Sequence, residues 1–168
     1  MYLISGCLLG HNCKYSGGNN LCGDVKKFAE EHSFFAVCPE TAGELPVPRP
    51  PAERRDGGIF DKDGRDVTYA FVRGSERCME AAETEARRRG ETIEGAVLKA
   101  RSPSCGRGVI YDGTFTGRTV PGDGVFTEML LERGIPVYTE DTLGELEDFI
   151  RRRGAQPLRI LNKDNEKR

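Results

Sequence analysis

Cys7, Cys38 and Cys105 each stand just beyond an apolar run of the chain, and they are the residues best placed to do chemistry. If the runs are neighbouring strands of one parallel sheet, their carboxyl ends bring the thiols to a single rim, where open α/β sheets bind ligands. Soft sulfur donors select zinc or an iron-sulfur cluster. Structural zinc favours a fourth ligand and a close CxxC pair, and the chain has no CxxC. A cluster held at three corners instead leaves one iron open to a substrate atom, as catalytic metal sites do. The alternative is a non-catalytic thiol or zinc-binding module that carries sulfur.

The other three cysteines have different settings. Cys13, in the loop that follows Cys7, is a fourth ligand, a resolving thiol or a plain loop residue. Cys22 opens an expected helix, and Cys78 lies on a helical apolar stripe and reads as core. His11 and His32 are isolated and read as solvated or hydrogen-bonded side chains.

Groups able to move protons flank the thiols. Glu40 follows Cys38 by two residues and would share its rim as a general acid or base. Ser102 and Ser104 surround Pro103 just before Cys105; they can donate hydrogen bonds to a bound heteroatom or satisfy the turn backbone. Arg49, in a proline-rich loop, can clamp an anion of the substrate.

The elements that must position these groups follow from periodicity and turn residues. Tyr2–Ser5, Phe34–Cys38, Ile93–Leu98 and Ile135–Thr139 read as strands. Helices are expected over Leu21–Glu31, from Val67 to Gly90, over Gly122–Arg133, and after Thr142, whose spacing to Glu145 is that of a capping box. Pro46, Pro48, Pro50 and Pro51 make Thr41–Arg55 an extended loop. Asp63-Gly64 suggests a small hairpin within Gly57–Val67, and Gly108–Gly117 a second one. Together they predict one Rossmann-like α/β domain over residues 1–153, a mostly parallel sheet with helices on both faces, followed by a polar tail over 154–168.

Composition narrows the function classes. The 168 residues suit one domain, and no apolar run approaches the ~18 residues of a membrane span. A net charge of -2 argues against a broad nucleic-acid surface and for a small-molecule partner. The amino terminus lacks the features of a secretory signal, so a cytoplasmic protein with reduced thiols is expected.

Six stretches, taken in order, resemble the thiouracil desulfidase family: Ile4-Ser-Gly-Cys-Leu-Leu-Gly10 with Cys13-Lys-Tyr15, Val37-Cys-Pro-Glu40, Leu45-Pro-Val-Pro-Arg-Pro-Pro-Ala-Glu53, Gly64-Arg-Asp-Val-Thr68, Leu98-Lys-Ala-Arg-Ser-Pro-Ser-Cys-Gly106 and Ile110-Tyr-Asp-Gly-Thr-Phe115. The resemblance implies a [4Fe-4S] cluster on Cys7, Cys38 and Cys105. It also implies removal of sulfur from a thiolated uracil or its nucleotide by water, without net redox change. Glu40 would then be the acid/base residue, and Ser102 would orient substrate or assist proton transfer. Related domains acting on modified RNA make RNA a less favoured partner.

Overall fold

Tyr2-Leu-Ile-Ser5 is buried at every residue and forms strand β1. A computed structural model describes residues 1–155 and builds a parallel sheet around this strand. β1 is followed by a short 3-10 turn, Gly6–Leu9, and helix α1, Gly23–Glu31. Strand β2, Phe34–Val37, leads into a single helical turn, α2, Pro39–Ala42. The hairpin β3, Ala52–Arg55, and β4, Gly58–Asp61, precedes the long helix α3, Thr68–Arg89. Strand β5, Gly95–Leu98, is followed by a second hairpin, β6, Val109–Tyr111, and β7, Thr119–Pro121. Helix α4, Val125–Glu132, strand β8, Val137–Thr139, and helix α5, Leu143–Ala155, complete the described chain.

The main sheet has the order β2-β1-β5-β8 with every pairing parallel. Strand side chains alternate between two cores. Leu3, Ala96, Leu98 and Val137 face Cys78, Met79, Ala82 and Ala86 of α3 and Phe126 and Leu130 of α4. Tyr2, Ile4 and Val97 face Val25, Phe28 and Ala29 of α1 and Leu143 and Leu146 of α5. Burial on both faces explains why these strands read as continuous apolar runs rather than alternating ones. This is the Rossmann-like α/β arrangement expected from the sequence. The chain leaves β1 toward β2 on one side and returns to β5 on the other, so the switch point of the sheet lies between the carboxyl ends of β1 and β5.

Three local expectations are corrected. Gly58–Asp61 pairs with Ala52–Arg55, not with residues beyond Asp63-Gly64; the hairpin turns at Asp56-Gly57, where both residues have positive φ. Asp63-Gly64 forms a second tight turn, its backbone held by Asp61. Helix α4 starts at Val125 rather than Gly122, because the Gly122 and Gly124 N–H groups donate to Gly108 and Gly106 carbonyls. Thr142 makes no capping box with Glu145; its hydroxyl accepts the Thr139 N–H at 2.9 Å, closing the turn between β8 and α5. Helix α5 continues through Gly154 and Ala155, and the rest of the expected polar tail, residues 156–168, lies outside the described residues. Among the described residues no helix is long and apolar enough to cross a membrane.

Candidate active site

The carboxyl ends of β1, β2 and β5 open into a cavity of about 530 Å³, and its wall includes Cys7, Cys13, Cys38, Cys105, Glu40, Arg49, Ser102 and Ser104. Every sequence-predicted site residue therefore reaches one space. Cys7 lies in the 3-10 turn after β1, Cys38 is the residue between β2 and α2, and Cys105 ends the turn that follows β5. Cys78 is buried in the core beneath, and Cys22 packs against the α1 face.

Main-chain contacts fix the two thiol-bearing turns. At Gly74 of α3 a Cβ would lie 1.7 Å from the Pro39 carbonyl oxygen, and at Gly43 it would lie 2.1 Å from the Ala70 carbonyl oxygen. Glycine at both positions lets α3 press on the turn that carries Cys38 and Glu40. The Cys105 turn is seated on the start of α4, where Val125 and Phe126 donate their N–H groups to the Pro103 and Ser104 carbonyls. The Thr127 hydroxyl, fully buried, donates to the Cys105 carbonyl at 2.8 Å. On the other side, Glu140 accepts the Ala100 N–H at 2.7 Å and pairs with Lys99, while Ser5 accepts the Lys99 N–H at 2.9 Å. The Pro103 and Ser104 carbonyls satisfy helix-start donors that α4 would otherwise leave open.

The thiols differ in electrostatic setting. Burial pushes the Cys105 and Cys7 thiols up, and burial holds Cys78 up at about 12. Interaction between the Cys13 and Cys38 thiols lowers Cys38 and raises Cys13, and Cys38 Sγ lies 4.0 Å from the Cys13 carbonyl oxygen. Charge on Cys38 acts on both Cys7 and Cys105, so the three thiols share one electrostatic neighbourhood.

The hydroxyls form an ordered chain. Ser102 Oγ accepts two N–H groups, from Ser104 at 3.2 Å and from Cys105 at 3.1 Å, and lies 2.9 Å from Ser104 Oγ. A hydroxyl has two acceptor sites and one proton. With both acceptor sites filled, Ser102 donates to Ser104, and Ser104 in turn donates to Glu40 Oε1 at 3.3 Å. Glu40 Oε2 receives Arg49 Nε at 2.8 Å and Nη2 at 2.6 Å. Arg49, expected to clamp an anion of the substrate, instead engages the carboxylate of Glu40, with two further N–H groups given to the Cys13 and Pro46 carbonyls.

The cavity wall also contains residues that sequence reading did not single out, among them Glu53, Lys99 and Phe115. Glu53 is the buried position of β3, and no pattern in the sequence marks it, since Ala52-Glu-Arg-Arg55 shows no apolar alternation.

A doubly wound α/β domain with thiols and a carboxylate converging at its switch point defines a small-molecule enzyme site. The family model described as 2-thiouracil desulfurase matches residues 2–142, and the chain belongs to that family. Among curated relatives, the uncharacterized protein YbbK of Bacillus subtilis (strain 168) is 34% identical over 156 residues, which span 87% of this chain and 99% of the relative. Among solved structures, the [4Fe-4S]-dependent thiouracil desulfidase TudS matches with a TM-score of 0.76 at 39% identity, covering 89% of this chain and 97% of that one.

Proposed function

We propose that this protein is a cytoplasmic desulfidase of thiolated pyrimidines, acting on thiouracil or a thiouridine nucleotide, and that Cys7, Cys38 and Cys105 hold a [4Fe-4S] cluster. The observation that carries this reading is the convergence of three thiols from three parallel strands on one cavity that also contains Glu40. The donor set fits the group: all three ligands are soft sulfur. Among the described residues no three His, Cys, Asp or Glu side chains stand close enough to share a single metal ion. Structural zinc favours a close CxxC pair, and the chain has none.

When bound, the cluster supplies a Lewis-acidic iron that draws electrons from the carbon-sulfur bond. The residues of the chain do the rest. The reaction replaces a thiocarbonyl by a carbonyl, consuming one water and releasing hydrogen sulfide, so no electron donor or acceptor is needed. Glu40 takes a proton from the attacking water, and Arg49 holds its carboxylate in place through Oε2. Ser104, kept in its donor orientation by Ser102, steadies the other carboxylate oxygen beside Cys105. The cavity, about 530 Å³, is sized for a free base or nucleotide.

Anaerobic purification tests the reading. The expected protein is brown, contains iron and inorganic sulfide, and releases sulfide from thiouracil or a thiouridine nucleotide without an added redox partner. Colourless protein with stoichiometric zinc and no sulfide release would overturn it in favour of a sulfur-carrier module.

A further inference from the structure

Glu53 is a second carboxylate in the cavity, and it stands outside the chain of contacts that joins Arg49, Glu40, Ser104 and Ser102. It is only 8% exposed, yet its partners among the described residues are two backbone N–H groups. Both donate to the same oxygen: Gly113 N reaches Glu53 Oε2 at 2.9 Å and Phe115 N at 3.0 Å. Oε1 receives no hydrogen bond from the described residues. Every fully enclosed side-chain oxygen and nitrogen among the described residues has a partner, so Oε1 is not enclosed by protein. Glu53 forms part of the cavity wall, and Oε1 is its carboxylate oxygen left free for a ligand there. A carboxylate oxygen with no protein donor, on a side chain otherwise held in place, is free to accept a hydrogen bond from a ligand.

The loop that Glu53 holds has a matching feature. Phe115 lines the same cavity with φ at 57°, in the left-handed region that aromatic residues rarely adopt. The Glu53 bond to its N–H helps fix that conformation. Gly113, with φ at 88°, seats the loop so closely that a Cβ there would lie 2.6 Å from Arg55 Cβ. The same side chain therefore anchors an aromatic ring at the cavity and offers an acceptor beside it.

We propose that Glu53 recognises the substrate, its Oε1 accepting a ring N–H of a thiolated pyrimidine while Phe115 covers the ring face. This rests on the desulfidase reading and names the part of the substrate that is read. In 2-thio and 4-thio pyrimidines alike, the N–H at ring atom N3 adjoins the thiocarbonyl carbon. It is also the ring N–H that a nucleotide keeps, because N1 carries the sugar. A site built to accept that proton rejects the N3-methylated analogue, which both clashes and leaves the carboxylate oxygen unpaired.

The test uses cluster-loaded enzyme with two readouts, calorimetric binding of the product uracil against 3-methyluracil, and kcat/KM for thiouracil against its N3-methyl derivative. Wild type should prefer the N–H compound in both by roughly tenfold to a hundredfold, the range for a hydrogen bond to a charged group. Glu53→Gln can keep the loop by turning its amide oxygen to Gly113 and Phe115. The amide nitrogen, a donor, then faces the cavity, and the preference for the N–H compound should disappear. Equal handling of the two compounds by wild type, a variant that keeps the preference, or no measurable uracil binding by wild type would each overturn the proposal. Turnover of both thiocompounds alike leaves the desulfidase reading standing and defeats this one. Preference for uracil with no sulfide release from thiouracil does the reverse.

Discussion

Arg49 and Glu40 form a partly buried ion pair in which two guanidinium nitrogens, Nε at 2.8 Å and Nη2 at 2.6 Å, converge on the single oxygen Oε2 of the carboxylate. The arginine is 5% exposed, and its Nη2 also holds the Cys13 carbonyl at 2.8 Å. It thus ties Glu40, the proposed acid/base residue, to the loop that follows Cys7. Lysine offers a point charge without the planar fork. Arg49→Lys should lower kcat by about tenfold to a hundredfold and leave iron content and KM near wild type. A raised KM at unchanged kcat would mark Arg49 as a substrate clamp instead.

Glu40→Gln keeps the size of the side chain and removes the base. The variant should assemble its cluster and bind thiouracil, while sulfide release per cluster falls by about a hundredfold to ten-thousandfold. Near-normal release at full iron content would move water activation to another group.

Serine at Cys7, Cys38 or Cys105 should abolish iron retention, since a hydroxyl is a poor substitute for thiolate toward iron. Cys13→Ser should retain full iron, because the three-ligand reading places the cluster on Cys7, Cys38 and Cys105 and leaves one iron open. Loss of iron there would place Cys13 among the ligands and close the open position. Cys78→Ser should retain iron with some loss of stability. In the native protein Cys78, buried and held up at about 12, should resist alkylation near pH 8, where its thiolate is scarce.

Gly124 precedes α4, and a Cβ there would lie 2.3 Å from the Ser104 carbonyl carbon and 2.5 Å from the Cys105 nitrogen. Both are main-chain atoms and cannot rotate away. Gly124→Ala should cost about 1–3 kcal/mol, a fall in Tm of roughly 2–12 °C for a domain of this size. Cluster content should fall with it, as iron analysis and thermal denaturation would show. Unchanged values would mean that the Cys105 turn yields.

Much of this architecture was legible because the four sheet strands are covered on both faces, so each appears as an unbroken apolar run ended by a turn. The thiols stood out for the same reason, each lying just past such a run. The hairpin partner Ala52–Arg55 was not legible: Pro50 and Pro51 precede it, and Glu53 and the two arginines give no apolar alternation. Nor was the engagement of Arg49, which depends on the proline-rich loop folding back until a residue nine positions from Glu40 meets its carboxylate. Thr142 and Glu145 have the right spacing for a cap, but Thr139 offers its N–H to the same hydroxyl, and that bond is the one formed.

The close approach at Gly74 and Gly43 has a bearing on how the enzyme fails when heated. Sites borne on loops commonly loosen before the domain beneath them. Here the helical turn carrying Glu40 rests main chain to main chain on the longest helix, and the Cys105 turn rests on α4. Both helices pack into the same core as Val37 and Cys105 themselves. Glu40 and Cys105 therefore have no melting step of their own, and thermal inactivation and loss of helical signal should share one midpoint.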